Sequence, residues 1–266
     1  MKVARFFFVA FLFDLFAFGQ NPDNASPPQD PFHGIKIVSS RLDTSTSPQT
    51  VQLDFINDSR NNITAWAYCV YAEKVDDSDP RQSFCTLVDP TSVVVDNTVQ
   101  GNLNPKYLFG DCPSCHFVHL GEHQVLSATF SVPVKSAEIQ INLIAYSNGQ
   151  VEVSGPEGSY NRQHLVVQRE GRLKEALKLS DIGKSILADS TDQHPVVRMI
   201  NELQSRSKND PFLQSALGLF KKPEWRLGND KEFIPADERA YLSKLVVEQE
   251  MRVAEFSKYQ IKEEGQ

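Results

Sequence analysis

The amino-acid sequence predicts a multidomain α+β protein, in which an antiparallel β-sandwich of the immunoglobulin-like class precedes an all-α region of four to five helices. Apolar and polar residues alternate with a period of two over residues 34–156, as half-buried antiparallel strands require. Over residues 157–266 the apolar period changes to three and four. The charge balance changes nearby: residues 20–161 carry 7 Lys and Arg against 16 Asp and Glu, whereas residues 162–266 carry 18 against 17.

The first residues have the pattern of a secretory signal peptide. Lys2 and Arg5 precede an apolar run, and small residues lie just before Gln20, so we expect residues 1–19 to be removed on export. The run is shorter than the ~20 residues that a membrane-spanning helix needs. The proline-rich stretch 20–33 predicts a linker. We therefore expect a secreted or periplasmic protein with no transmembrane segment after signal removal.

Residues 34–156 predict seven or eight short strands separated by turn residues, which favours a sandwich over the alternative of a closed barrel. Along the strand near 138–147, the alternation places Ile139, Ile141, Leu143 and Ala145 on one face. Asn148-Gly149 predicts a tight hairpin with a type I′ turn. The predicted strands lie near 34–40, 50–56, 62–73, 82–88, 91–96, 124–132, 138–147 and 150–154.

Residues 157–266 predict helices with narrow apolar stripes. A possible helix start at Ser180-Asp181 separates two such stripes, and Pro195 and Asp210-Pro211 each resemble the first turn of a helix. Short amphipathic helices are marginal alone in water, so they need a partner surface in this chain or another. Whether they pack on the sandwich is left open. The last helix, within 235–264, is expected to present on one face Leu242, Leu245, Val246, Gln249, Val253 and Phe256.

Cys69 and Cys85 are predicted to form a disulfide across a β-hairpin. If the loop is centred near Asp77, paired residues have numbers that sum to 154, and the two cysteines face each other. An exported chain with an even number of cysteines favours such a bridge. The bridge would close a loop of about fifteen residues, which the chain-entropy model values at ~3 kcal/mol.

The stretch 110–123 gathers Cys112, Cys115, His116, His119 and His123. A disulfide between Cys112 and Cys115, with solvated histidines, is the default in an exported protein. Three alternatives stay open. C-x-x-C-H is the attachment pattern of c-type haem, thiolates with imidazoles suit zinc or copper, and C-x-x-C occurs in thiol–disulfide exchange centres.

The pattern His119-x-x-Glu122-His123 is that of inverted zinc proteases, which require it on a helix. Gly121 at its centre and the strand-like flanks argue against a helix.

The charge distribution and the motifs restrict the function classes. Neither half of the chain is strongly basic, which argues against nucleic acid as a partner. No dinucleotide, P-loop or nucleophile-elbow motif occurs, so we predict no catalytic residue and expect no cofactor. We expect an exported, non-enzymatic binding protein whose partner is another protein or an envelope component. The alternative is a redox protein that carries haem c, zinc or copper on Cys112, Cys115 and His116.

Overall fold

The computed structural model describes residues 32–45, 47–75, 81–100, 116–210, 213, 215–220 and 237–262. The predicted signal peptide, linker residues 20–31, Pro211 and both Cys112 and Cys115 lie outside the described residues. In the part described, no helix is both long and apolar enough to cross a membrane.

Two antiparallel sheets and four α-helices make the described structure a mixed α+β fold. One sheet has the strand order β1-β2-β5 and the other the order β4-β3-β6-β7. A 3-10 helix, Ser215–Phe220, lies between the last two α-helices. The strands are β1 Ile35–Asp43, β2 Gln49–Asn57, β3 Ile63–Lys74, β4 Arg81–Val88, β5 His123–Phe130, β6 Val134–Tyr146 and β7 Val151–Val153. The helices are α1 Thr91–Gln100, α2 Gly155–Leu187, α3 Pro195–Arg206 and α4 Glu238–Lys258.

The two sheets share one apolar core, which contains the fully buried Trp66. The predicted alternation in β2 and β5 is confirmed, because every second residue of each strand is buried. Burial of these side chains stabilises the two packed sheets by roughly 1.5–3 kcal/mol for each large apolar residue. From β2 and β5 the core receives Val51, Leu53, Phe55, Leu126, Ala128 and Phe130.

Helix α2 covers the outer face of the four-stranded sheet, so this sheet is the middle layer of the structure. Leu165 packs there against small side chains, namely Ala65, Ala67 and Ala145, together with Leu143. A Cβ atom on Gly158 would lie 2.2 Å from the carbonyl oxygen of Asn142, which shows how closely the helix approaches β6. The question left open by the sequence is therefore answered: the helices contact the sheet through α2.

The prediction that Ile139, Ile141, Leu143 and Ala145 share one face of β6 is wrong, because a bulge interrupts the strand. Ile141 pairs with Tyr68 and Leu143 with Ala67, which leaves Asn142 as an extra residue. An extra residue reverses the direction in which later side chains point. Ile139 and Ile141 therefore face the core between the sheets, whereas Leu143 and Ala145 face α2.

The strand predicted near 91–96 is wrong, since these residues belong to helix α1. The consecutive valines favour a strand locally. In the folded chain, Val95 and Val99 lie one helical turn apart and pack against Phe256 of α4. Asp89 accepts hydrogen bonds from the backbone N–H and the hydroxyl of Thr91 and so caps the start of the helix. Tertiary packing thus overrides the local propensity.

The predicted helix start at Ser180-Asp181 is also wrong, because α2 continues without a break from Gly155 to Leu187. The apolar stripe shifts along α2 because the helix changes partner, from the sheet near Leu165 to α3 and α4 near Ile182. The predicted start at Pro195 is confirmed. Five of the six residues predicted for the face of the last helix are buried, namely Leu242, Leu245, Val246, Gln249 and Phe256, and Val253 is half-buried.

The Asn148-Gly149 hairpin is present, but its loop holds three residues instead of the two of a type I′ turn. The backbone N–H of Tyr146 donates to the carbonyl of Gln150 (2.9 Å), which leaves residues 147–149 as the loop. Gly149 has a φ of +85°, the left-handed conformation that a three-residue loop requires at its last position.

A buried ion network joins α2 to the sheet and to α1. The Arg169 guanidinium lies 3.1 Å from the Asp89 carboxylate, and Arg172 lies 3.0 Å from the same group. Arg169 also donates to the carbonyl of Thr64 in β3 (3.1 Å) and to that of Tyr259 after α4 (2.7 Å). Because both Arg169 and Asp89 are almost fully buried, every remaining donor must find a partner, and these carbonyls supply it.

Candidate functional site

Three loops meet at one end of the two sheets, which we call the loop end: residues 57–62, 116–122 and 147–150. The backbone N–H of Gly121 donates to the carbonyl of Asn57 (2.8 Å), and the N–H of Ser147 donates to the carbonyl of Asn62 (2.8 Å). Ile63 and Val118 also form a β-bridge. Backbone hydrogen bonds therefore fix the three loops relative to one another.

Asn57 is the polar centre of the loop end. Its side chain is fully buried and donates to the carbonyls of Asn61 (2.9 Å) and Val118 (2.8 Å). Its side-chain oxygen accepts from the backbone N–H of Ser59 (2.9 Å). A buried amide without these partners would cost roughly 1–3 kcal/mol, so Asn57 holds both loops in a single arrangement.

A β-turn from His119 to Glu122 carries an exposed apolar side chain. The N–H of Glu122 donates to the carbonyl of His119 (2.9 Å), and Gly121 has a φ of +76°, which a type II turn requires at its third residue. Leu120, the second residue of the turn, is 62% exposed. His119, Glu122 and His123 are therefore not on a helix, as Gly121 and the strand-like flanks predict.

The Glu122 carboxylate stabilises this turn. One oxygen accepts from the backbone N–H of His119 (2.8 Å), and the other lies 2.7 Å from Nε2 of His116. Burial raises the pKa of Glu122, but the His119 N–H and the His116 side chain together lower it by more, so the net pKa lies below its ordinary value. The carboxylate is thus held ionised between two of the predicted histidines.

Two of the three predicted histidines come together at the loop end, and the third lies apart. His119 belongs to the turn that ends at Glu122, and its Nδ1 lies 3.0 Å from the side-chain oxygen of Asn62. His116 contacts the Glu122 carboxylate of the same turn. His123 is on the exposed face of the three-stranded sheet, with Nδ1 3.1 Å from the Asp54 carboxylate. Each imidazole therefore has one ring nitrogen next to an oxygen acceptor.

Within the described residues, no three His, Cys, Asp or Glu side chains are grouped so that they could hold a metal ion. Cys112 and Cys115 lie outside those residues. Their predicted disulfide, and the alternatives of haem c, zinc or copper with His116, His119 and His123, therefore stay predictions.

The residues before β1 are held at the loop end. The N–H of Asp58 donates to the carbonyl of Gly34 (3.0 Å), and the N–H of His33 donates to the Glu152 carboxylate (2.8 Å). The Tyr146 hydroxyl donates to the same carboxylate (3.2 Å). Burial raises the pKa of Tyr146, and the charge on Glu152 raises it further, so the phenol keeps its proton.

The residues after α4 return to the same end. The N–H of Lys262 donates to the carbonyl of Gly149 in the β6–β7 hairpin (3.0 Å). The rings of Phe117 and Tyr259 are in edge-to-face contact, with centroids 5.1 Å apart. Both ends of the described chain thus support the loops that form the site.

The structure contains the Cys69–Cys85 disulfide in the predicted register. Trp66 pairs with Val88 and Tyr71 with Ser83, so the numbers of paired residues sum to 154, as a loop centred near Asp77 requires. The two Cα atoms are 4.0 Å apart. The side-chain amide of Asn142 donates to the sulfur of Cys69 (3.0 Å), which places the bridge next to the β6 bulge.

The sequence directed attention to the histidines and to Glu122 as part of a zinc-protease pattern, but not to the roles of Asn57, Leu120 and Glu122 in organising the loop end. Asn57 begins a run of polar turn residues in which nothing distinguishes the buried amide from its solvated neighbours. A Gly directly after a lone Leu between polar residues was a signal for a turn with an exposed apolar corner.

Comparisons with known proteins identify no family. No protein-family model matches the chain, and no curated protein matches it. A solved structure of a hypothetical protein from Peptoclostridium difficile 630 aligns with 11% sequence identity, covering 50% of this chain and 92% of that chain, at a TM-score of 0.29. A likeness at this level supports no conclusion about fold or function.

Proposed function

We propose that this protein is an exported, non-enzymatic binding protein that contacts another protein or an envelope component through the loop end. The observation that carries the proposal is the position of Leu120. A large apolar side chain, 62% exposed, occupies the corner of a turn that is fixed by Gly121 and by the Glu122 carboxylate.

The rigidity of the loops supports a binding role. Association costs free energy when flexible side chains and loops become ordered, and a preformed surface avoids part of that cost. At the loop end, Asn57 and the backbone bonds of Gly121 and Ser147 already fix the arrangement. His119 precedes Leu120 in the turn and His116 contacts the Glu122 carboxylate that stabilises the turn, so polar groups accompany the exposed apolar side chain, as in the polar rim of an interface.

The order of the strands supports an immunoglobulin-like fold for the two sheets, and we include this fold class in the proposal. The first, second and fifth strands form one sheet, and the fourth, third, sixth and seventh form the other. In immunoglobulin-like domains the loops that cluster at one end of the sandwich are a frequent binding site. This analogy supports the location of the site and says nothing about the partner.

Export is part of the proposal, because the signal-like residues 1–19 and the Cys69–Cys85 disulfide are both typical of proteins that leave the cytoplasm.

A photocrosslinking experiment tests the proposed site. A photoreactive amino acid at position 120 is compared with the same group at position 167, since Val167 on α2 is also 62% exposed. Each protein is irradiated with the exported fraction of the source organism. We expect an adduct of one size from position 120 that excess wild-type protein suppresses and excess Leu120→Asp protein does not.

Two results would contradict the proposal. One is the same adduct from position 167, and the other is equal competition by the Leu120→Asp and wild-type proteins. Circular dichroism spectra that agree with the wild type establish that Leu120→Asp is folded, since this exposed side chain contributes little to the core.

A further inference from the structure

The outer edge of β4 differs from the other sheet edges. Within the described residues, no strand pairs with that edge. Exposed edges invite pairing with another chain, and proteins usually protect them with bulges, charges or short strands. β1 has a bulge between Ile37 and Ser39 and carries Lys36 and Arg41, and β7 has only three residues. β4 runs through eight residues in regular register without a bulge.

The remaining edge strand, β5, packs one face against the core, because every second residue from Gln124 to Phe130 is buried. In contrast, all residues from Arg81 to Cys85 are exposed, so this part of β4 has open space on both faces. Phe84, in the middle of β4, is 43% exposed. β4 is therefore the edge that offers an added strand a regular register, open space on both faces and the apolar Phe84. The exposed apolar residues of the other edges include Ile37 and Val38, which lie beside the β1 bulge, and Val125, on a strand whose alternate residues are buried.

The disulfide reveals which backbone groups of β4 point outward. Directly opposed residues in an antiparallel pair are about 5.5 Å apart at Cα when they are hydrogen-bonded to each other and about 4.5 Å apart when they are not. The Cα atoms of Cys69 and Cys85 are 4.0 Å apart, so this pair is the narrow kind. The N–H and C=O groups of Cys85 thus point away from β3. By alternation, the same holds for Arg81, Ser83 and Leu87.

We propose that β4 pairs in antiparallel fashion with β4 of a second copy of this chain, with Phe84 on the two-fold axis. This is the register that uses all four outward-pointing residues: Arg81 lies opposite Leu87 of the second copy, and Ser83 lies opposite Cys85. Phe84 then faces its own equivalent in a narrow pair, where side chains approach most closely.

The charges of β4 fit this register. Arg81 is the one charged residue in the strand, and the two-fold pairing places it opposite an uncharged leucine, with the two arginines at opposite ends of the interface. An isologous contact of this kind closes as a dimer, since each copy has a single such edge in the pairing. Because one strand pair buries little area, we expect a weak dimer that dissociates on dilution.

Sedimentation velocity of the full exported chain, from low micromolar to several hundred micromolar, tests the proposal. We expect the weight-average mass to rise from monomer toward dimer. Ser83→Pro removes an outward N–H without removing a bond to β3, and proline is tolerated on an edge strand at such a position. We expect Ser83→Pro to remain monomeric throughout the range and Ser83→Ala, which keeps the N–H, to dimerise as the wild type does.

A second pair of variants keeps the test decisive if Ser83→Pro fails to fold. Phe84→Asp places two carboxylates face to face on the two-fold axis and is expected to abolish the dimer. The control Val125→Asp adds the same charge to β5 at a residue that is 50% exposed and is expected to leave the dimer intact. A wild-type chain that is monomeric at every concentration, dimers that Phe84→Asp leaves intact, or a dimer that persists covalently on a non-reducing denaturing gel would each overturn the proposal.

Discussion

The two faces of the four-stranded sheet are held to their neighbours by different means. The inner face contributes apolar side chains such as Val70, Ile139 and Ile141 to a core that it shares with the three-stranded sheet. The outer face meets α2 through a smaller apolar cluster around Leu165, through the close approach at Gly158 and through polar groups that include the Arg169–Asp89 pair. Apolar packing tolerates substitutions of similar volume, whereas a polar contact depends on individual atoms. We therefore expect the outer face to be the more sensitive to single changes.

The largest expected effect is at the buried ion network. Asp89→Ala leaves the buried guanidinium of Arg169 without its counter-ion, and we expect the free energy of unfolding to fall by about 3–5 kcal/mol. Urea denaturation followed by circular dichroism measures it. The control Glu170→Ala breaks the exposed pair with Lys174 on the same helix and should cost about 0.5 kcal/mol or less. Equal losses in the two variants would contradict the claim that the buried Arg169–Asp89 pair is what makes the outer face sensitive.

A smaller loss is expected where α2 touches β6. In Gly158→Ala the new methyl group meets the carbonyl oxygen of Asn142 at 2.2 Å, so the helix has to shift, at a cost of about 1–3 kcal/mol. Gly218→Ala, in the 3-10 helix, is the matched control, since a Cβ atom at that residue would have no heavy atom within 4 Å. Thermal unfolding of both variants should show a lower Tm for Gly158→Ala alone.

The inner face provides the apolar comparison. Ile141→Val removes one methylene group from the core between the sheets, and we expect a loss of about 0.5–1.5 kcal/mol in urea denaturation. A loss as large as that of Asp89→Ala would mean that the inner face is as sensitive as the outer one.

The smallest effect is expected at Glu122, a partly exposed carboxylate that sharpens the comparison with the buried Asp89. Its pKa in the folded protein lies below its ordinary value of 4.5. The ionised carboxylate therefore adds to the free energy of unfolding above about pH 4.5, and this stabilisation is lost as the pH falls through the folded-state pKa. We expect Glu122→Gln to cost under about 1 kcal/mol at neutral pH because solvent screens the group. Chemical denaturation should show this difference from the wild type narrowing at acidic pH.

Regular patterns made much of the two sheets predictable. The period of two fixed which residues of β2 and β5 are buried, and a loop centred near Asp77 fixed the register of β3 and β4, including the Cys69–Cys85 pair. Period and turn position suffice there because one residue of slippage would expose a whole apolar face.

Features that depend on distant residues were not predictable from local patterns. Val95 lies in a helix because Phe256, far along the chain, covers it. Asn142 becomes a bulge next to the disulfide and α2, and Arg169 finds Asp89 across a separation of 80 residues. At the loop end the histidines were visible in the sequence, but the role of Asn57 depends on Val118, which comes from a different loop.

The β6–β7 hairpin binds both flanks of the described chain by hydrogen bonds. The N–H of His33 donates to the Glu152 carboxylate, and the N–H of Lys262 donates to the Gly149 carbonyl. The two flanks therefore emerge beside each other, and a short glycine–serine linker can connect them. A circular permutant joined in this way and reopened in the exposed segment between α2 and α3 should keep the same fold, with new termini remote from the hairpin.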